Sequence, residues 1–192
     1  MSSFFTGFTK KSSYAAILGI ALTLSGLAYA ALRIDLSKST VTATFKQLNV
    51  PVTAKFRKFN ASIDYNATKP ETSKASVDID IASFDLGDPE YNTEVMKKEW
   101  FDAARFARAS FVSVSMKATA DGKLQATGKL TIKGKTSDVS FPVTIKKEGS
   151  NVIFDGALPI KRLSYNIGEG DWKDTDTVAD EVVIRFHVVA AQ

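Results

Sequence analysis

The sequence predicts an all-β protein whose strands form one antiparallel barrel with a single short helical insertion. Apolar and polar residues alternate with a period of two over most of the chain after residue 40, as in residues 40–45 (TVTATF). Short turn signals separate these segments, and only the stretch from Phe84 to Phe111 has helical spacing. A meander of strands with one apolar face must hide its edges, and closure into a barrel of about eight strands does so. A two-sheet sandwich would show the same alternation, so the pattern leaves both architectures open.

The first thirty residues, 1–30, have the character of a secretory leader. Lys10 and Lys11 precede a mostly apolar, uncharged segment, and Ala28-Tyr29-Ala30 is a small-x-small cleavage site. We therefore expect a signal peptide over residues 1–30, one domain over residues 31–192 and a periplasmic location. The alternative is an uncleaved anchor, because the apolar segment is nearly long enough to span a bilayer.

Composition excludes several classes of function. The chain has no cysteine, which rules out disulfides, thiolate metal sites and a cysteine nucleophile. The net charge of +4 is too small and too dispersed to indicate a nucleic-acid partner. His187 is the one histidine, and it is out of phase with Phe186, so we expect it to face solvent. A zinc site of the usual composition is therefore not expected.

The strands predicted before the helix follow one another closely. They cover residues 40–45, 52–56, 59–65 and 76–81, and a polar loop separates the last two. Arg57-Lys58 interrupts the alternation between the second and third of them, as a bulge does.

The strands predicted after the helix are longer and are joined by hairpin signals. Asp121-Gly122, Lys133-Gly134-Lys135 and residues 148–151 are the turn sequences. Pro159 is expected to separate two strands. The strands lie at residues 111–116, 124–132, 139–145, 152–158, 161–165 and 182–188. In the first of these, the pattern allows either residues 112, 114 and 116 or residues 111, 113 and 115 to face inward.

The helical insertion is predicted over residues 88–108, where it would form a lid on the barrel. Asp88 is suited to the N-cap and Pro89 to the first helical position. Tyr91 with Val95, and Met96 with Trp100, are spaced four apart and would share an apolar side.

No motif carries a catalytic chemistry. Gly134-Lys135-Thr136 ends like a phosphate loop but lacks the earlier glycine and the strand-to-helix context. Asp171, Asp174, Asp176 and Asp180 miss the calcium-loop spacing and are read as solvated turn residues. We expect no catalytic residues, no metal and no cofactor.

Several ordered segments make the chain similar to the YceI family, the lipid-binding YceI-like proteins of bacteria. The matching pieces are Phe45 with Leu48, Phe56 with Phe59, residues 99–102 (EWFD), 106–111 (FARASF), 128–136 (GKLTIKGKT), 139–142 (VSFP), 165–168 (YNIG), Trp172 and Asp174. Ala107 stands where the family usually has proline, and Ala54 where it often has glycine.

This resemblance implies an eight-stranded, antiparallel, lipocalin-like β-barrel with an elongated apolar cavity. It also implies binding of a long-chain isoprenoid or acyl lipid, such as a polyisoprenoid, an isoprenoid quinone or a fatty acyl compound. A b561-type membrane cytochrome is a possible partner by the same resemblance, and a homodimer is a further expectation.

Aromatic and aliphatic residues of the inward faces are the candidates for the cavity wall. They are Phe45, Phe56, Phe59, Ile79, Ile81, Trp100, Phe106, Phe111, Leu130, Phe141, Phe154, Tyr165, Trp172 and Phe186. The expected headgroup contacts at the mouth are Arg105, Arg108, Arg162 or Asn166. The leading hypothesis is a periplasmic lipid carrier. The alternatives are an interaction module for a membrane partner and, ranked last, an enzyme.

Overall fold

The structure is a computed structural model that describes Met1 and residues 32–191. The predicted leader, apart from Met1, lies outside the described residues. Within the described part, no helix has both the length and the apolar character needed to cross a membrane.

Among the described residues, eleven strands form one curled antiparallel sheet. They are β1 (Arg33–Ile34), β2 (Thr40–Gln47), β3 (Val50–Phe56), β4 (Phe59–Asp64), β5 (Lys74–Asp80), β6 (Phe84–Asp85), β7 (Arg108–Ala118), β8 (Leu124–Ile132), β9 (Lys135–Glu148), β10 (Asn151–Lys161) and β11 (Val178–Ala191). The order in the sheet is β4-β5-β7-β8-β9-β10-β11-β2-β3-β6, with β1 paired to β11. In the part of the chain that the structure describes, a single α-helix, α1 (Pro89–Glu94), follows β6.

The strand order places β4 at one end of the sheet and β3 near the other end, yet β3 and β4 are consecutive in the chain. The sheet curls because this continuous segment joins its two ends. Strand β3 pairs with β2 and runs through a kink at Arg57-Lys58 into β4, which pairs with β5. A bridge between Leu32 and Ile63 links β4 to the chain that enters β1. With β3 and β4 taken as one bent strand and the two-residue β1 and β6 set aside, eight strands surround the core. The predicted all-β, antiparallel, barrel-like fold is confirmed.

A bulge in β7 resolves the ambiguity over which of its faces lies inside. The register with β8 shifts between Ser113 and Ser115. Phe111 therefore faces the interior before the shift and Met116 after it, while Val114 is 70% exposed. Each of the two alternating patterns describes one half of this strand.

The predicted break at Pro159 is wrong. Strand β10 runs unbroken from Asn151 to Lys161, and Pro159 pairs with Val183 of β11. The ladder between β10 and β9 ends at Gly156, so Pro159 lies where one edge of the strand is free. Proline is tolerated there because its missing amide costs no ladder bond. The segment predicted as a strand over residues 161–165 instead forms a 3-10 helix, Arg162–Tyr165.

The helical insertion is shorter than predicted. Asp88 caps α1 by accepting hydrogen bonds from the amides of Glu90 and Tyr91, as expected, but the helix ends at Glu94. Tyr91 is 57% exposed, so it does not face the core. Residues 95–107 form consecutive turns, which bury the neighbouring side chains of Trp100 and Phe101 together. Adjacent residues of a continued helix would instead point about 100° apart.

One end of the barrel is closed by two segments, residues 86–107 and 162–177, which we call the plug. The buried Arg162 side chain, 2% exposed, holds the second segment. Its guanidinium donates to the carbonyl oxygens of Ile167, Gly168, Trp172, Asp174, Val178 and Ala179 at 2.7–3.4 Å. The amides of Gly168 and Glu169 both donate to the Glu99 carbonyl, which ties the two segments together.

Lys133 makes a second tie at the same end. Its ammonium donates to the carbonyl oxygens of Lys98 and Asn166, both at 2.7 Å, and to the Glu169 carboxylate at 3.0 Å. The last contact holds the pKa of Glu169 below its usual value. The plug is therefore fixed by two buried cations that bind mainly backbone oxygens.

Replacing Arg162 with methionine should destabilise the protein strongly. Several buried carbonyls would lose charged donors, and we expect a loss of about 3 kcal/mol or more. For a chain of this size that corresponds to a fall in Tm of roughly 6–12 °C. Thermal unfolding followed by circular dichroism measures it. Arg105→Met is the matched control, because the Arg105 side chain is 71% exposed, and it should shift Tm little. Equal shifts for the two variants would contradict this role for Arg162.

Asp85 should make stability depend on acid pH. Its carboxylate accepts from the Asn92 side-chain amide, the Gly87 amide and Arg57, and these contacts lower its pKa from 3.8 to about 2. The ionised form is thus favoured in the folded state, so its stabilisation is complete above about pH 4 and is lost as pH falls toward 2. Urea unfolding of wild type and Asp85→Asn should differ most near neutrality, with the gap narrowing below pH 4. A gap independent of pH would contradict the assignment.

Candidate functional site

The inside of the barrel holds an apolar cavity of about 150 Å³, which we call the main cavity. Tyr65 and Ser110 are the two lining residues with a polar side-chain atom. Burial raises the pKa of the Tyr65 phenol. The predicted residues that line this cavity are Phe56, Phe59, Ile79, Ile81, Phe111, Leu130, Phe141, Phe154 and Phe186.

Other predicted residues lie elsewhere. Phe45 and Trp100 line a second cavity of about 70 Å³ beneath the plug, which we call the small cavity. Trp172 packs on Trp100, with ring centroids 5.1 Å apart, and lines neither cavity. Tyr165 is buried, 3% exposed, but also lines neither. Phe106 covers the β8–β9 turn outside both cavities.

Two glycines let aromatic rings lie against the inner wall. A Cβ atom at Gly156 would stand 2.2 Å from the Phe186 ring, and one at Gly128 would stand 2.5 Å from the Phe111 ring. Phe141 meets both rings edge-on, with centroids at 5.8 Å from Phe186 and 5.3 Å from Phe111. These three rings form one wall of the main cavity, and the glycine backbone provides the space for it.

Phe101 is the most important lining residue that the sequence did not predict, because it lies between the two cavities. It lines both the main and the small cavity, so its ring forms part of the partition between them. No periodic signal marked it, because it lies in irregular turns beside Trp100. Val41, Ile63, Leu124 and other strand residues of the wall do follow the predicted alternation.

The size of the cavity limits what it holds as it stands. A cavity of this volume accommodates a benzene-sized ligand and, when lined by apolar groups, stays dry. Left empty, 150 Å³ would cost roughly 4 kcal/mol by the scaling found for core cavities. A long chain needs more room, which requires Phe101 to shift or part of the chain to leave through the wall.

The barrel wall beside the kink at Arg57-Lys58 has a groove on its outer side. An open groove of about 600 Å³, the lateral groove, lies on the outside between the loop of residues 35–39 and the start of β4. Val41, Phe56 and Phe59 line both this groove and the main cavity. Its charged lining residues are Lys55, Arg57, Lys58, Asp78, Asp80 and Arg108.

The four residues predicted to contact a lipid headgroup lie in different parts of the structure. Arg108 lines the lateral groove. Arg162 is buried in the plug with its donors bound to carbonyls, so it is not available to a ligand, which corrects that expectation. Asn166 is 8% exposed in the same plug, and Arg105 pairs with Asp102 at 3.5 Å.

None of the described residues that line the main cavity carries a charge. Residues 32–191 contain no group of three His, Asp or Glu side chains placed to hold a metal ion. His187 faces outward, as predicted, and its Nδ1 lies 2.7 Å from Asp155 Oδ1 on the outer surface. The arrangement is suited to enclosing an apolar molecule.

Comparison with solved structures gives the same architecture. The crystal structure of the Burkholderia cenocepacia protein BcnA is 49% identical and aligns over 82% of this chain and 99% of that chain, with a TM-score of 0.81. A Campylobacter jejuni YCEI protein is 22% identical over 73% of this chain and 85% of that chain, with a TM-score of 0.68. A polyisoprenoid binding domain from Saccharophagus degradans, implicated in plant cell wall breakdown, has a TM-score of 0.66 over 84% of this chain and 98% of that chain. At 16% identity it shows the fold alone.

Sequence comparison identifies relatives and a family. A UPF0312 protein of Pseudomonas fluorescens is 36% identical over 96 residues, which span half of this chain and half of that protein. A UPF0312 protein of Pseudomonas putida is 32% identical over 146 residues, which cover 74% of this chain and 76% of that protein. The YceI-like domain matches residues 32–190, and this chain therefore belongs to the YceI-like family.

Proposed function

We propose that this protein binds the apolar chain of an amphiphilic lipid in its main cavity and carries it without chemical change. The observation that carries the proposal is a cavity whose wall is apolar apart from Tyr65 and Ser110. The ligand class is a polyisoprenoid, an isoprenoid quinone or a fatty acyl compound, and the polyisoprenoid binding domain with the same fold supports it. The site of action is the periplasm, as the leader sequence of residues 1–30 indicates.

Burial of the apolar tail is the main source of binding free energy in this scheme. Each buried CH₂ group contributes about 0.8 kcal/mol. Ten carbons would thus contribute roughly 8 kcal/mol before the cost of ordering the chain and the protein is subtracted. Affinity in this scheme follows chain length more than headgroup chemistry, and no bond is made or broken.

The direct test is mass spectrometry of the protein purified from its native host, first under native conditions and then after organic extraction. A stoichiometric prenyl, quinone or acyl species would support the proposal and identify the ligand class. A ligand-free protein that also fails to bind added lipids would contradict the proposal.

A second candidate is an interaction module for a membrane partner such as a b561-type cytochrome, or for a second copy of the chain. It is favoured by Leu48 and Val50, which are 67% and 61% exposed at the β2–β3 turn near the plug. Cross-linking from this turn in native membranes distinguishes it, because a pure carrier needs no protein contact there.

Filling the main cavity should block binding without unfolding the protein. Ala126 is 1% exposed and lines the main cavity, so Ala126→Leu occupies space that the ligand needs. We expect affinity for a fluorescent long-chain fatty acid to fall at least about tenfold, since two lost CH₂ contacts cost about 1.6 kcal/mol. Ala120→Leu, on the exposed β7–β8 turn, is the matched control and should bind as wild type does. Unchanged affinity in a folded Ala126→Leu variant would place the ligand elsewhere.

Shrinking the partition should change the preferred chain length. Phe101→Leu removes part of the ring between the main and small cavities. In a series of saturated fatty acids, we expect the tightest-binding length to increase by a few carbons, because the tail reaches the small cavity. Phe106→Leu is the control, since Phe106 lines neither cavity. An unchanged optimum would show that Phe101 does not limit the tail.

A further inference from the structure

We infer that the lateral groove is the binding site for an anionic headgroup, phosphate or carboxylate, of a lipid whose tail fills the main cavity. The inference rests on the proposed function, because it assigns the second half of the same ligand. It starts from the break in the barrel wall beside the kink at Arg57-Lys58.

The break has a definite cause in the strand pairing. The ladder between β2 and β3 ends at the pair Val41 and Phe56. Beyond the kink, β4 pairs with β5 on one edge, and on its other edge the described residues provide only the bridge from Ile63 to Leu32. The loop of residues 35–39 spans the interval outside any ladder with β4. Between these two points the wall lacks ladder hydrogen bonds, and this is where the lateral groove lies.

The floor of the groove connects it to the interior. Val41, Phe56 and Phe59 contribute to both spaces, and both phenylalanines remain partly exposed although they are apolar. These three side chains separate the main cavity from the groove, and in the inferred complex the lipid passes between them. The plug closes the other route at the end where Arg162 and Lys133 are bound to backbone oxygens.

The charges around the groove select the headgroup. Arg57 is already paired with Asp85, and the Asp80 carboxylate accepts from the Ala82 amide. Lys55, Lys58 and Arg108 make no ion pair with any described residue. Two carboxylates, Asp78 and Asp80, also line the groove without an ion pair, so these three cations exceed them by one positive charge. Lysine and arginine donors of this kind bind phosphate and carboxylate oxygens with charge-assisted hydrogen bonds.

The backbone at the rim is held in place before any ligand arrives. The Arg57 amide donates to the Ser83 carbonyl and the Asp80 amide to the Lys58 carbonyl, both at 3.0 Å. The Ser83 hydroxyl accepts from the Lys58 amide at 3.0 Å and donates to the Asp80 carbonyl at 2.6 Å. The kink therefore places Lys58 on one side of Asp80, and the register of β5 with β7 places Arg108 on the other side of Asp80.

The test compares two probes that differ only in the headgroup. Geranylgeranyl phosphate and geranylgeraniol are titrated into the wild-type protein and into the triple variant Lys55→Gln/Lys58→Gln/Arg108→Gln at low salt. We expect wild type to prefer the phosphate by about tenfold or more, and the triple variant to lose that preference while its affinity for the alcohol stays within about twofold. The control is Lys117→Gln/Lys146→Gln/Lys147→Gln, which removes the same charge from exposed positions that do not line the groove.

The outcomes separate the two proposals. If wild type binds the two probes equally, and the groove variant behaves the same way, the headgroup site is overturned while tail binding stands. If the control variant loses the phosphate preference as fully as the groove variant does, the effect is one of net charge, and the site is again overturned. If wild type binds neither probe, the lipid-binding proposal itself fails. Loss confined to the groove variant supports the site.

Discussion

The buried guanidinium of Arg162 is the interaction on which the closed end of this barrel depends. The segment that follows it carries no β-ladder from Ile167 to Thr177, so its inward carbonyls need another donor. One planar, permanently charged guanidinium binds four of them and two carbonyls at the start of β11, and desolvation lowers its pKa without removing the charge at physiological pH. The Trp100 ring lies 5.7 Å from the same guanidinium, so the two plug segments share one anchor. Because the plug seals this end of the barrel, the main cavity inside it is closed on that side.

A sealed end makes the side of the barrel the place for access. The bent strand pairs with β2 before the kink at Arg57-Lys58 and with β5 after it. The wall is thin at this change of partner. Apolar rings cover the inner side of this point and cations surround the outer side. This boundary is suited to an amphiphile, since its apolar tail would contact the aromatic rings and its charged headgroup would contact the cations. The interior and the lateral groove are thus complementary parts of one site.

The alternation of residues predicted most of the inner wall because the pleat of a strand has a strict period of two. Leu130 and Phe141 line the main cavity, and the alternation put them on the inner faces of their strands. The same rule misses residues outside the strands, which is why Phe106 and Trp172 were placed at the cavity although neither lines it. Aromatic residues in irregular segments are buried for many reasons, and sequence spacing does not distinguish a packing contact from a cavity contact.

By itself, the sequence determined the all-β class, the hairpin positions, the Asp88 cap and the kink, because each depends on local backbone preference or on side-chain period. It also determined the family, through ordered motifs that extend along nearly the whole domain. Only the tertiary structure decided that Arg162 is a structural anchor and that Phe101 forms part of the partition between the two cavities. It likewise brought Lys55 and Arg108 to one groove. These outcomes arise from contacts between residues far apart in the chain, whose energies have no signature in local pattern.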